Sequence, residues 1–188
     1  MKNAYIDLGT NLLGGFNELE KTFGIDESWD VIFVEPNPEC HEEISKKIST
    51  MPNAKLIGKA LSTDNLDKTI TTRTDVYGDT AATIYDLDYL KKSINQWNQF
   101  PDSFVTYDVK CCRLIDVLKE TNADNIYIKM DIEGAEFSIL ESDFPFEYCN
   151  KIKKLLVEFH CFTDADRERK KSIIENFLTK GIEINDWH

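Results

Sequence analysis

The sequence predicts an α/β fold in which a mainly parallel central sheet carries helices on both faces. Short apolar runs rich in β-branched residues alternate with helical segments along the chain. A glycine turn follows the first of these runs, and acidic residues follow several of the others. Strands that alternate with helices form mainly parallel sheets, and such sheets bind ligands outside the carboxyl ends of their strands. A functional site is therefore expected at the strand ends.

The individual elements follow from hydrophobic pattern and turn residues. Ala4–Leu8 is a short apolar strand that breaks at Gly9, and Val31–Glu35 is a β-branched and aromatic run that stops at Pro36. The other predicted strands are Lys55–Leu61, the extended stretch Phe104–Cys112, Asn125–Asp131, Lys154–His160 and Gly181–Trp187. The predicted helices are Leu12–Phe23, His41–Ile48, Asp86–Trp97, Arg113–Glu120, Glu133–Glu141 and Asp164–Lys180. The polar segment Ser62–Thr83 is expected to be irregular strand and loop.

Composition excludes several classes of function. The 188 residues fit one domain spanning 1–188, and 34 acidic against 22 basic residues give a net charge of −12. This charge disfavours nucleic-acid and membrane-surface partners. No apolar run approaches the roughly 20 residues of a membrane span, and no signal peptide is evident, so we expect a cytosolic protein. Five cysteines without a C-x-x-C pair indicate reduced thiols; the oligomeric state is left open.

Polar side chains end four of the predicted strands. Asp7 precedes Gly9 on the first strand and Glu35 closes the second. An acid at the end of the second strand can accept hydrogen bonds from both hydroxyls of a ribose, while a glycine turn lets a ligand approach the backbone. The alternative is that Glu35 is a solvated residue that opens a turn before Pro36. The turn has Asn11 where a dinucleotide-binding turn has its second glycine, which disfavours a nicotinamide cofactor.

Four segments in this order resemble the motifs of the FkbM methyltransferase family: Y-I-D-L-G-T-N, V-E-P-N-P, I-K-M-D-I-E-G-A-E and V-E-F-H. The resemblance implies a Rossmann-like class I methyltransferase fold and S-adenosylmethionine as cofactor. It further implies three sets of cofactor contacts: Asp7, Gly9, Thr10 and Asn11 to the methionine part, Glu35 with Pro36 and Asn37 to the ribose, and Ala60, Leu61 and Ser62 to the adenine edge. The family usually has glycine where Leu13 stands, and the fold is expected to be trimmed at both termini, as a minimal enzyme or one domain of a longer polypeptide.

The acceptor side is predicted from the later strands. Asp131 ends the central strand, and Glu158 and His160 lie two residues apart on the next, so the three are expected to converge on one acceptor oxygen. His160 is either a general base, since its unperturbed pKa of about 6.5 suits that role, or a strand-end cap. Lys129 orients the acceptor or, the favoured interpretation, pairs with Asp131 or Glu158.

Three further features of the acceptor side leave alternatives open. Asp131, Glu158 and His160 could also hold a divalent cation, although independence from metal is the default expectation. Glu133 and Glu136 are either catalytic or, by the simpler interpretation, residues that stabilise a helix N-terminus. Aromatic residues near Gly78–Thr83 form either an acceptor lid or part of the core: Tyr77, Tyr85, Tyr89, Trp97, Phe100 and Tyr107.

Taken with the resemblance, these features predict an O-methyltransferase that acts on a hydroxyl of a glycan or other small molecule. Deoxyhexose sugars such as rhamnose or fucose are favoured, because FkbM-like enzymes often act on sugars or polyketide-derived hydroxyls. Two other classes stay open: a nucleotide-sugar oxidoreductase, and a non-catalytic cofactor-binding module of a glycan-assembly protein.

Overall fold

The computed structural model of the chain describes residues 1–73, 82–84, 104–161 and 163–187. Within these ranges the strands are β1 (Asn3–Leu8), β2 (Asp30–Val34), β3 (Ala54–Ile57), β4 (Ala60–Leu61), β5 (Lys68–Arg73), β6 (Ala82–Thr83), β7 (Phe104–Val109), β8 (Cys111–Cys112), β9 (Asn125–Met130), β10 (Ile152–Val157) and β11 (Ile184–Asp186). The α-helices are α1 (Gly14–Phe23), α2 (His41–Ile48), α3 (Leu114–Leu118), α4 (Glu136–Ser142) and α5 (Asp164–Thr179). Two 3₁₀ turns lie at Pro38–Cys40 and Phe146–Tyr148.

A six-stranded parallel sheet forms the centre of the molecule, in the order β11-β10-β9-β1-β2-β3. The chain builds outward from β1 through β2 to β3 and then returns to the other side of β1 with β9. The carboxyl ends of β1 and β9 therefore flank a topological switch point, where adjacent connections leave in opposite directions and open a crevice. The fold class predicted from the sequence is confirmed.

Helices cover both faces of this sheet, and the alternation of side chains along β1 assigns each face its own core. Tyr5 packs with Phe16 of α1 and Ile44 of α2 in one hydrophobic cluster. Its neighbour Ile6 belongs to a second cluster that contains buried residues of α3, α4 and α5, such as Phe177. Because each strand of the sheet is buried on both sides, its residues are mainly apolar, and the polar ones gather where the strands end.

The predicted third strand is wrong in its extent, since Lys55–Leu61 forms two strands in different sheets. β3 ends at Ile57 beside β2, whereas β4 pairs in parallel with β8. Gly58 and Lys59 separate the two, so the chain changes direction before Ala60. The segment expected to be irregular strand and loop contains β5 and β6, and β5 pairs antiparallel with β6 on one side and with β7 on the other.

Several predicted boundaries shift because the backbone turns sharply at the strand ends. Leu13 has a φ of 66°, so α1 begins at Gly14 rather than at Leu12. Glu133 has a φ of 53°, so α4 begins three residues later than predicted, at Glu136. Several other elements are shorter than predicted: β9 ends at Met130, β10 at Val157, α3 at Leu118 and α5 at Thr179, and β11 covers Ile184–Asp186. In contrast, β10 begins two residues earlier, at Ile152, and the predicted stretch Phe104–Cys112 forms the two strands β7 and β8.

Some predictions fall outside the described residues. These are the helix Asp86–Trp97 and five of the six aromatic residues considered for a lid, Tyr77, Tyr85, Tyr89, Trp97 and Phe100. Among the helices that the structure describes, none combines the length and the apolar character needed to cross a bilayer. All five cysteines are free thiols, of which Cys40, Cys111 and Cys112 are buried.

Candidate functional site

A cleft of about 540 Å³, partly open to solvent, lies at the carboxyl ends of β1, β2 and β9. Its walls come from five segments: the turn after β1, the end of β2, the Lys59–Leu61 segment, Ile84 after β6 and the loop after β9. The described lining residues are Gly9, Asn11, Val34, Glu35, Pro36, Lys59, Ala60, Leu61, Ile84, Asp131, Ile132, Glu133 and Ala135. The cleft therefore occupies the crevice that the strand order creates.

Gly9 is required where β1 and β9 approach each other at the bottom of the cleft. Its φ is 75°, and a Cβ atom there would lie 1.7 Å from the carbonyl oxygen of Asp131. The backbone N–H of Asp131 donates to the carbonyl of Leu8, and that of Gly9 donates to the carbonyl of Val34, both at 2.9 Å. Any larger residue at position 9 would push the two strand ends apart and change the cleft.

Glu35 presents a buried carboxylate to the cleft, with only 4% of its surface exposed. Its oxygens accept hydrogen bonds from the backbone N–H of Asn11 at 2.7 Å and of Asn37 at 2.8 Å. Burial raises the pKa of Glu35 to about 7, although these two hydrogen bonds oppose the shift. A carboxylate has about four lone-pair positions, so Glu35 can still accept from ligand hydroxyls while it holds both loops. Glu35 is therefore not the solvated turn residue of the alternative interpretation.

The other residues implied to bind the cofactor divide into lining and supporting groups. Asn11, Pro36, Ala60 and Leu61 line the cleft, as Gly9 and Glu35 do. Three residues stabilise the turns from behind: the Thr10 hydroxyl donates to the carbonyl of Asp7, the Asn37 side chain accepts from Glu39 N–H, and Ser62 N–H donates to the carbonyl of Cys112. Tyr107, one of the six aromatic residues considered for a lid, lies in β7, and its hydroxyl donates a hydrogen bond to the carboxylate of Glu39.

Lys129 of β9 is buried beneath the cleft, with 3% of its side chain exposed, and its ammonium group lies near two carboxylates. Its Nζ lies 2.9 Å from the carbonyl oxygen of Gly9, 3.3 Å from Oδ2 of Asp131 and 3.4 Å from Oδ1 of Asp7. Asp7 is fully buried behind the cleft, and burial raises its pKa to about 6 although Lys129 lowers it. Lys129 therefore forms ion pairs with Asp7 and Asp131, in line with the favoured interpretation. Of these three residues, Asp131 lines the cleft.

His160 and Glu158 do not lie on one strand face, since β10 has already ended at Val157. The His160 ring turns toward the start of α4, with Nδ1 3.1 Å from Oε1 of Glu136 and Nε2 3.3 Å from Oε2 of Glu133. Burial favours the neutral ring, but hydrogen bonds to these carboxylates outweigh it and raise the pKa of His160 to about 11. Because both ring nitrogens contact carboxylates, the arrangement favours a supporting role for His160 over that of a general base.

Glu158 follows β10 and is partly buried near other acidic groups. Burial, followed by the nearby Asp131 carboxylate, raises its pKa. Its backbone N–H continues the sheet by donating to the carbonyl of Met130. Glu158 does not appear among the described residues that line the cleft.

Glu133 is the acceptor-side residue for which the sequence favoured a place at a helix N-terminus and left a catalytic role open. It lines the cleft in a left-handed conformation, followed by Gly134 with a φ of 103°. Its carbonyl accepts a hydrogen bond from the Thr83 hydroxyl at 2.8 Å. Glu136 fixes the loop before α4 rather than capping the helix, because Oε1 accepts from the backbone N–H groups of Ile132 and Gly134, both of which precede the helix. The I-E-G sequence was the available signal, since a glycine after an acid indicates a turn rather than a helix start.

Comparisons with known proteins identify a family and a similar fold. The family model described as the Methyltransferase FkbM domain matches residues 8–181. A crystal structure of Methyltransferase FkbM from Methylobacillus flagellatus KT is similar, with a TM-score of 0.52 and 16% sequence identity. That similarity covers 93% of this chain and 37% of the other, and at this identity it shows the fold alone. The comparison with curated proteins returned no match.

Proposed function

Because this chain belongs to the FkbM methyltransferase domain family, we propose that it transfers a methyl group from S-adenosylmethionine to a hydroxyl of a sugar, glycan or other small molecule. One observation carries the proposal: two carboxylates from different strands, Glu35 and Asp131, line the same cleft at the switch point. One suits a ribose and the other suits a proton that leaves an acceptor. A cytosolic location is part of the proposal and rests on the sequence.

The residue types on the cofactor side of the cleft support S-adenosylmethionine as the ligand. Glu35 offers free lone pairs to both ribose hydroxyls, as an acid at the end of the second strand does in nucleotide-binding sheets. Gly9 keeps the backbone of the first turn close to the cleft, and Asn11 supplies a polar side chain beside it. Ala60 and Leu61 provide an apolar edge for the adenine ring.

The acceptor side of the cleft supplies a candidate proton acceptor. S-Adenosylmethionine supplies an electrophilic methyl group on a sulfonium sulfur, which keeps the bonding electron pair when the methyl leaves. The acceptor oxygen must lose its proton as the new bond forms, and the partly exposed carboxylate of Asp131, which lines the cleft, is our candidate to accept it. Lys129 holds Asp131 through its ammonium group at 3.3 Å and so restricts the carboxylate to one orientation.

Local charge favours a neutral acceptor such as a sugar. The carboxylates of Asp131, Glu133 and Glu158 outnumber the cations of Lys129 and His160 around this end of the cleft. Like charge repels phosphates, which argues against nucleic acid and against a nucleotide sugar as acceptor. A deoxyhexose hydroxyl is uncharged and offers hydrogen-bond donors to the carboxylates.

Calorimetric titration with S-adenosylhomocysteine and, separately, with NADH tests the proposal. We expect S-adenosylhomocysteine to bind and NADH not to bind, because the Gly9 turn lacks dinucleotide glycine spacing. Replacing Glu35 by Ala should weaken S-adenosylhomocysteine binding by about 1–3 kcal/mol through the loss of a charged acceptor. Glu42→Gln, which removes an exposed carboxylate from α2, is the matched control.

Each outcome of the titration separates the candidate functions. Tight NADH binding would replace methyl transfer with the oxidoreductase alternative. Binding of S-adenosylhomocysteine without methyl transfer to any of a panel of deoxyhexose glycosides would instead favour the non-catalytic module. An unchanged affinity in Glu35→Ala would remove Glu35 from the site.

A further inference from the structure

The side chains of Asp131, Glu133 and His160 form a compact set of possible metal ligands beside the cleft. One ligand atom from each lies within 4.8 Å of the others, and all three residues are partly exposed. Two ligands that bind one cation at about 2.1 Å are at most about 4.2 Å apart. Small rotations of the side chains would therefore bring the three atoms into one coordination sphere.

The support behind His160 is what a metal-binding histidine requires. Its Nδ1 faces Oε1 of Glu136, a carboxylate that is completely buried and is fixed by two backbone N–H groups. Metal-ligating histidines almost always donate their second ring N–H to a carboxylate or carbonyl, which orients the ring. This contact directs the opposite nitrogen, Nε2, toward the carboxylate of Glu133 at 3.3 Å.

Glu136 adds an observation that is independent of the three ligands. Its second oxygen, Oε2, is buried and has no hydrogen-bond partner within the described ranges. A fully buried carboxylate with an unsatisfied oxygen is costly unless charge nearby compensates for it. The His160 ring, whose Nδ1 lies 3.1 Å from Oε1, supplies such charge when it is protonated, and a divalent cation bound to Nε2 would supply positive charge through the neutral ring.

We propose that Asp131, Glu133 and His160 bind a divalent cation at the acceptor end of the cleft, with Glu136 orienting His160 from behind. Two carboxylate oxygens and one imidazole nitrogen suit a cation of the Mn²⁺ or Mg²⁺ type and leave further coordination positions for water or an acceptor oxygen. The cation would lie between Nε2 of His160 and the carboxylate of Glu133, which are 3.3 Å apart. This arrangement differs from the set expected from the sequence, because Glu133 replaces Glu158.

The role of the cation rests on the proposed function, whereas its binding does not. An acceptor hydroxyl that coordinates a divalent cation loses its proton more easily, since the metal stabilises the alkoxide. Asp131 and Glu133 both line the cleft, so the proposed position is accessible to the acceptor. The same residues would therefore bind the metal and place the hydroxyl.

Electron paramagnetic resonance of Mn²⁺ tests the binding directly, because the sharp spectrum of the free aqueous ion disappears when the ion binds. The purified chain is titrated in about 0.15 M salt, which screens weak binding to its acidic surface. We expect one saturable Mn²⁺ per chain. Glu133→Gln and His160→Ala should each weaken binding at least tenfold, and Glu136→Gln roughly 10–100-fold, as for other residues that orient a ligand.

Controls distinguish the site from general acidity. Glu175→Gln removes an exposed carboxylate from α5 and should leave the Mn²⁺ affinity unchanged. Glu133 is 34% exposed, so Glu133→Gln keeps the fold even if His160→Ala does not. Mn²⁺ should also raise the Tm of the native protein and of Glu175→Gln, but not that of Glu133→Gln.

Two results would overturn the metal site: no saturable binding up to millimolar Mn²⁺, or equal affinities in Glu133→Gln and Glu175→Gln. S-Adenosylhomocysteine titration of the same samples separates this inference from the proposed function. If Mn²⁺ binds as expected and S-adenosylhomocysteine does not, the metal site stands and methyl transfer is rejected. If only S-adenosylhomocysteine binds, the proposed cofactor site stands and the metal site is rejected.

Discussion

The two halves of the cleft are built in different ways. In the cofactor half, formed by Gly9, Asn11, Glu35, Ala60 and Leu61, the key carboxylate is held by backbone N–H groups of two turns. In the acceptor half, formed by Asp131, Glu133 and His160, the groups are held largely by other side chains, with Glu136 and Lys129 behind them. Backbone contacts depend little on neighbouring sequence, whereas a side-chain network changes whenever one member is replaced.

This difference indicates which half can change without loss of the other. A cofactor half supported by backbone geometry can keep one ligand while residues around it vary. An acceptor half supported by side chains can be altered for new acceptors by single substitutions. Lys129 connects the halves, since its Nζ contacts both the Gly9 carbonyl and the Asp131 carboxylate.

The largest expected effect separates the halves most clearly. Asp131→Asn should lower turnover by roughly 10²–10⁴-fold, because the amide cannot accept the acceptor proton. Binding of S-adenosylhomocysteine should stay within a few-fold of the native value. Turnover is measured as methyl transfer to an acceptor identified from a panel of deoxyhexose glycosides and hydroxyl-bearing small molecules. Equal loss of turnover and cofactor affinity would place Asp131 in the cofactor half and remove the distinction.

A smaller effect is expected where the halves meet. Lys129→Met leaves Asp7 buried without its cation and should lower the free energy of unfolding by about 3–5 kcal/mol. Lys154→Met removes a lysine from β10 that is 32% exposed and pairs with Glu183, so it should cost less than about 1 kcal/mol. Urea denaturation of both variants measures the difference. Similar values for the two would mean that the pairs with Asp7 and Asp131 do not stabilise the fold.

The smallest expected effect concerns the cofactor half alone, as a pH dependence of stability. Burial raises the pKa of Glu35 from 4.5 to about 7, so between these values the folded chain holds a proton that the unfolded chain has lost. Stability must then fall as pH rises through this window, by an amount on the order of 2–3 kcal/mol. Urea denaturation from pH 4.5 to 7.5 measures the slope, to which His160, with its pKa raised to about 11, adds a decline above about pH 6.5.

A variant assigns that slope to Glu35. Glu35→Gln cannot ionise and should reduce the decline between pH 4.5 and 7, while Asp7, whose pKa is raised to about 6, keeps a part of it at the lower end. Glu42→Gln, on the exposed surface of α2, should keep the full native slope. A slope that is the same in Glu35→Gln as in the native chain would show that the carboxylate is effectively solvated.

Sequence patterns were sufficient where a property depends on neighbours along the chain. Strand and helix periodicity predicted the parallel sheet, and Gly9 and Glu35 were identified from their positions at strand ends. The boundaries of α1 and α4 were missed because Leu13 and Glu133 adopt left-handed conformations, which their residue types rarely do. The break between β3 and β4 was missed because both parts are apolar, and only the pairing of β4 with β8 separates them.

The sequence by itself therefore determined the fold class and the acids at the strand ends, because the periodicity of apolar residues sets which faces are buried. Only the tertiary structure decided which of those acids act together. His160 was grouped with Asp131 and Glu158 by its position after a strand, but its ring contacts Glu133 and Glu136, which lie 27 and 24 positions away along the chain. Contacts between loops at that separation depend on how α4 packs against the sheet and on which strand β10 pairs with. A local sequence pattern holds no information on either.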